Sequence, residues 1–132
     1  MNVYTELIKK LVLDVCLQHH AKLLHKKYAK LKDEDDHPLF GLCYYASEAY
    51  FHLLKGSDIG IKGAYKRFTW RGESITHWVV KMPDGVVVDI TNAQFCGEIT
   101  FDYSTFKGCG FQQISGSARF IINEVEKRLI LV

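Results

Sequence analysis

The sequence predicts an α+β domain in which helices pack on a small antiparallel sheet. Three observations lead there. Apolar residues between positions 4 and 31 recur at helical spacing, residues 62–91 are rich in β-branched and aromatic side chains broken by turn signals, and the last residues return to helical spacing. The order helix, helix, strands, helix is that of an α+β domain, and 132 residues suit one such domain with a real core. There is no internal repeat and no low-complexity segment.

Leu7, Ile8, Leu11, Val12, Val15, Leu23, Leu24, Tyr28 and Leu31 form one apolar stripe, with lysines over much of the other face, so residues 4–31 are expected to be one long amphipathic helix. KDEDDHP, residues 32–38, is too polar to pack and reads as a solvated acidic loop; a calcium loop would need more regularly spaced ligands and a Gly turn. A second helix is expected from Leu42 or Cys43 through CYYASEAYFHLLK, with Gly56 as its stop. KGAYKRFTW, residues 62–70, is a strand by composition, RGES is a turn, and residues 75–82 and 86–91 are strands joined through PDG. Residues 96–112 carry Gly97, Gly108 and Gly110 and read as loop with a short extra strand. A final helix begins near Ser115 or Ser117.

Composition narrows the function. Apolar residues make up 48% and charged residues 24%, as in ordinary folded proteins, and the net charge of +2 comes without an aromatic-and-basic ladder, so nucleic-acid binding is not expected. No apolar run reaches the ~18 to 20 residues of a membrane span, and residues 1–10 lack a signal-peptide pattern, so neither membrane nor export is expected and a cytoplasmic location is. Cys16, Cys43, Cys96 and Cys109 form no C-x-x-C pair, so no metal site, no cofactor and reduced thiols are expected.

Chemistry concentrates in two segments. In FGLCYYASEAY a Gly allows a sharp turn and Cys43 falls in the first turn of the next helix, facing unsatisfied N–H groups and the positive end of the dipole, where a thiolate is stabilised. In THWVVKMPDGVVVDIT, His77 and Asp89 share parity, so a connecting loop of three residues (Met82 to Asp84) or five (Lys81 to Gly85) lets them sit directly opposite on one face of a hairpin. A carboxylate there would hold the imidazole in one tautomer and leave its other nitrogen for a thiol. Trp78 points the other way and is expected in the core.

GLCYYASEA resembles the nucleophile segment of the transglutaminase-like branch of papain-type enzymes, and THWVVKMPDGVVVDIT resembles that branch's His-Trp strand, Gly-containing turn and Asp-x-Thr strand. The resemblance covers roughly residues 40–95. It implies a papain/transglutaminase-like core, with Cys43 as nucleophile, His77 as general base and acid, and Asp89 as the orienting carboxylate. The Gln that often precedes the Cys in papain-like enzymes has no counterpart; that stretch holds His37. Backbone N–H groups at Cys43 and Tyr44 could supply part of an oxyanion hole, with His37, Gln18 and Trp70 as side-chain candidates, and Tyr44 and Gln94 as candidates for the cleft. The whole chain is also similar to small bacteriophage proteins, which implies action in an infected bacterial cytoplasm.

Cys109, between two glycines, is the rival nucleophile but has no following helix nearby; His19 and His25 do not have zinc-site spacing, and His52 lies too far along the Cys43 helix. The sequence thus supports a cysteine hydrolase or acyltransferase acting on a protein or peptide-like amide. The alternative is an inert binding module that occupies a bacterial host protein. The apolar end of the last helix, FIINEVEKRLILV, suits either a homodimer or packing on the sheet.

Overall fold

The computed structural model describes residues 2–32 and 36–131, and it replaces the expected long first helix by three. Helix α1 (Val3–Gln18) starts at Asn2, whose side chain accepts from the Thr5 N–H at 2.8 Å. At His19 the backbone leaves helical geometry, α2 (His20–Leu23) adds one turn, and Leu24 and His25 are extended before α3 (Lys26–Leu31). Local bonds make the breaks affordable: Ser117 donates to the freed Leu23 carbonyl at 3.1 Å, and His25 Nδ1 accepts from the Lys27 N–H at 3.1 Å. Apolar spacing persists through the breaks, which is why the pattern reads as one helix.

The breaks turn α3 back over Gly41. That residue has φ +81°, and a Cβ there would lie 2.6 Å from Leu24 Cδ1 and 2.8 Å from Tyr28 Cβ. Helix α4 (Cys43–Leu53) follows at once, beginning at the expected residue. Its end differs from expectation: Lys55 takes the left-handed conformation, and Gly56 instead opens the single turn α5 (Gly56–Ile59), where a Cβ would meet the Phe51 ring at 2.5 Å.

Strands β1 (Lys62–Trp70) and β2 (Glu73–Lys81) form a hairpin through Arg71 and Gly72, both left-handed, as a two-residue turn that matches strand twist requires. The strand expected at 86–91 shrinks to β3 (Val87–Val88), and the extra strand is β4 (Lys107–Cys109). All pairings are antiparallel, in the order β3-β2-β1-β4. Helix α6 (Gly116–Leu131) is capped by Ser115, whose hydroxyl accepts from the Ala118 N–H at 3.2 Å.

Strand alternation divides the interior. The face bearing Tyr65, Arg67, Thr76, Trp78 and Val80 meets the helices, where Ile8, Val12, Val15, Ala46, Tyr50, Ile121 and Val125 form the main core. The opposite face carries Ala64, Ile75, His77 and Val79 under an aromatic layer that includes Phe95, Phe101 and Phe106. Among the described residues no helix is long and apolar enough to cross a membrane. Of the acidic loop, residues 33–35 lie outside the described residues, and Asp36 pairs with Arg71 at 3.4 Å.

Gly41 and Gly72 share φ +81°, but only Gly41 is crowded. Gly72→Ala should therefore cost about 1–2 kcal/mol for the left-handed backbone, and Gly41→Ala about 2–5 kcal/mol once overpacking against Leu24 and Tyr28 is added. Urea denaturation of the two variants measures the difference; equal losses would mean that α3 does not rest on this turn.

Candidate active site

The short β3 determines what lies beside β2. It pairs only with Val80 and Lys81, so among the described residues no strand flanks Thr76 on the side of β2 away from β1. The first turn of α4 fills that space, and the buried Cys43 thiol donates to the Thr76 carbonyl at 3.4 Å. Tyr28, from α3, lies at the same place: burial and the neighbouring Cys43 sulfur raise its hydroxyl pKa, with contacts to Thr76 and the Arg67 charge pulling the other way.

His77 is fully enclosed, stacked on Phe101 at 4.9 Å between ring centres and met edge-on by Phe95 at 4.9 Å. Its Nε2 lies 2.9 Å from both carboxylate oxygens of Asp89. A carboxylate only accepts, so Nε2 carries the proton and Nδ1 is the lone-pair nitrogen of the neutral ring. Nδ1 is buried and has no hydrogen-bond partner among the described residues while the thiol points to Thr76. Burial pushes the His77 pKa down, yet the hydrogen-bonded Asp89 carboxylate and the adjacent Cys43 sulfur outweigh it and raise it to about 9.

The pair meets by a different register from direct opposition. Met82 N–H donates to the Val86 carbonyl at 2.8 Å, which leaves a three-residue loop, Pro83 to Gly85, and preserves parity. The observed pairs Val80 with Val88 and Lys81 with Val87 would, if continued, set Asp89 opposite Val79, diagonal to His77. Because β3 ends at Val88, Asp89 departs from the sheet and reaches the ring from the side. Two further groups hold it: Tyr103 donates its hydroxyl to Asp89 Oδ2 at 2.7 Å, and Asn92 Nδ2 donates to the same oxygen at 3.1 Å. Burial, then this bond, raises the Tyr103 pKa to about 12, so it stays a donor. Neither residue shows a pattern in the sequence; each opens a short 3-10 turn, Asn92–Phe95 and Tyr103–Thr105, whose partner Asp89 is 3 and 14 positions away.

Cys43 opens on a cleft of about 640 Å³ between α3, α4 and the sheet. Tyr44 lines it, with its hydroxyl donating to Glu48 at 3.4 Å. Trp78, expected in the core, is instead half-buried in the cleft floor against Tyr44 and Tyr65, because residues of its parity face the helices and α4 leaves the floor uncovered here. Gln94 is buried behind the turn that carries Cys43: its Oε1 accepts from the Gly41 N–H at 3.2 Å and its Nε2 donates to Thr91 at 2.8 Å. The other side-chain candidates lie away from the cleft. His37 accepts from the Leu39 N–H at 3.1 Å, Trp70 donates to Glu98 at 3.3 Å on the opposite sheet face, and Gln18 accepts from Arg128 at the end of α1.

All four cysteines are free. Cys16 is buried, which pushes its thiol up to about 12, whereas Cys109 is exposed and lines the same cleft as Cys43. No group of His, Cys, Asp and Glu suited to a metal occurs among the described residues. Comparison with protein-family models, curated proteins and solved structures finds no match to the chain.

A His77 pKa raised to about 9 makes stability depend on pH with a definite sign. The folded state holds the His77 proton more tightly than the unfolded chain, so the contribution is complete below pH ~6.5 and is lost as pH rises through about 9, about 3 kcal/mol in all. Denaturation of wild type between pH 6 and 9.5 should show that decline, and His77→Gln should flatten it. Tyr103→Phe should cost about 1–2 kcal/mol and bring the His77 transition to lower pH by loosening the carboxylate, which NMR titration of the imidazole would detect.

Proposed function

We propose that this protein is a small cysteine-nucleophile acyl hydrolase or transferase, built on a papain/transglutaminase-like core and acting on a protein or peptide-like amide. The observation that carries the reading is the convergence of Cys43, His77 and Asp89 at the uncovered edge of β2, with the Asp89 carboxylate on one ring nitrogen and the Cys43 side on the other. The roles follow from the geometry. The proton shared by the Cys43 thiol and His77 Nδ1 rests on the imidazole as the sulfur attacks the acyl carbon, and the C–N bond breaks as the imidazolium gives that proton to the leaving nitrogen. Water then adds to the thioester with His77 as base, releasing the acid and the free thiol; an amine in place of water would give transfer. One cleft of this size favours hydrolysis, because water needs no second binding site. For the tetrahedral oxyanion, the Cys43 and Tyr44 N–H groups at the start of α4 and the Tyr28 hydroxyl beside Cys43 are the candidate donors.

A second reading, an inert module that binds a partner, is favoured by the 6% exposure of Cys43 and the complete enclosure of His77. Reactivity separates the two. Cys43 should be alkylated by iodoacetamide near neutral pH faster than Cys96 or Cys109, and His77→Ala should slow it about tenfold or more with the circular dichroism spectrum retained. Asp89→Asn should keep the fold and lose most of the rate, since an amide can donate to Nε2 and stabilise the wrong tautomer. A Cys43 that reacts only on unfolding would establish the binding module.

A further inference from the structure

The charge of the cleft is one-sided. Its floor presents Arg67, which is paired across β1 and β2 with Thr76, the residue that receives the Cys43 thiol, and its rim presents Lys27 and His25 from the start of α3. Among the described residues no carboxylate lines the cleft, and neither Arg67 nor Lys27 forms an ion pair with one. The nearest buried acid, Glu48, is occupied: Ser115 donates to its Oε1 at 2.6 Å and Tyr44 to its Oε2 at 3.4 Å. The uncharged lining is aromatic, with Tyr65 and Trp78 in the floor 4.9 Å apart and Tyr44 meeting Trp78 at 4.9 Å. Other candidates do not go as far. The hollow beside His52 is lined by charges of both signs, Lys55 and Arg119 with Glu126, and so selects neither, and nothing shows what covers the exposed Ile130 and Leu131.

Resting on the acyl-transfer reading above, we infer that the cleft selects acyl substrates that carry a carboxylate, with Arg67 as its principal partner and the Tyr44, Tyr65 and Trp78 rings holding the apolar part of the chain. An acidic residue next to the reacting amide of a peptide fits this description. A guanidinium beside a carboxylate forms a planar two-point contact, and because Arg67 is exposed that contact is open to screening by salt. Cross-strand pairing of Arg67 with Thr76 sets that contact within one residue's reach of the nucleophile, so it would orient the acyl carbon as well as bind the substrate.

Iodoacetate and iodoacetamide test the inference without requiring turnover. Both lose iodide to a thiolate with formation of one C–S bond, and they differ by one charge. The His77 imidazolium would itself favour the anionic reagent, so the readout is the part of the preference that depends on Arg67. The iodoacetate to iodoacetamide rate ratio at Cys43, read by peptide mass spectrometry at low salt, should fall about three- to tenfold in Arg67→Gln and recover in Arg67→Lys. The gap should close toward 1 M salt. Equal ratios in all three proteins would overturn the inference and leave the enzyme reading intact. A Cys43 silent to both reagents would overturn the enzyme reading and this inference with it. At constant ionic strength, N-acetylglutamate should slow the reaction more than inorganic phosphate does; the reverse order would replace the carboxylate by a phosphate ligand.

Discussion

A β-strand that lacks a neighbour exposes backbone groups that must be satisfied by something else, and the structure is organised around one such place. Strand β2 runs nine residues, but β3 covers only its last two. At Thr76 the missing neighbour is replaced by side chains from two helices, the Cys43 thiol on the carbonyl and Tyr28 alongside. Had β3 continued through residues 89–91, Asp89 would have stayed in the ladder and α4 could not have brought its first turn to the edge. Early termination of one strand thus creates both the access to the thiol and the freedom of the carboxylate.

The same edge joins two environments that the sheet otherwise separates. On the helix side lie the cleft, its tyrosines and its cations, open to solvent. On the other side His77 and Asp89 sit in an aromatic enclosure, where a charged pair survives because each partner is bonded: the ring to the carboxylate, and the carboxylate also to Tyr103 and Asn92. Low dielectric on that side strengthens the pair, and the raised His77 pKa is its consequence. A proton donor kept dry on one face can serve a sulfur presented on the other only where the sheet ends.

Much of this was readable from local pattern. The Gly41 turn followed by Cys43 at a helix start, the β1 and β2 hairpin, and the shared parity of His77 and Asp89 each depend on neighbours a few residues apart, and the structure contains all three. What the pattern hid depends on distant chain. Breaks near His19 and Leu24 leave the apolar stripe in phase, so nothing in residues 4–31 reveals that the chain folds back. Tyr28 reads as one more core residue of that stripe, and its place beside Cys43 follows only from the fold-back. Alternation turns Trp78 away from His77, and it does face the helices; what alternation cannot supply is that α4 stops short of covering it. Tyr103 and Asn92 each open a single 3-10 turn, too short to carry a periodicity that could be read.

Gln94 shows how the two halves are kept in register. Its carboxamide is buried and bonded at both ends, one on the Gly41 N–H and the other on Thr91, so the turn that delivers Cys43 is tied to the segment that delivers Asp89. Gly41 is itself held from the other side by Leu24 and Tyr28, leaving no room for a side chain. The thiol and the carboxylate therefore belong to a single bonded unit although 46 positions separate them in the chain, counting from Cys43 to Asp89. A displacement of the loop after β3 would be passed to the Cys43 turn through one amide. That linkage, more than the length of any strand, is what allows a sheet of four strands to hold three groups from separate elements at one edge.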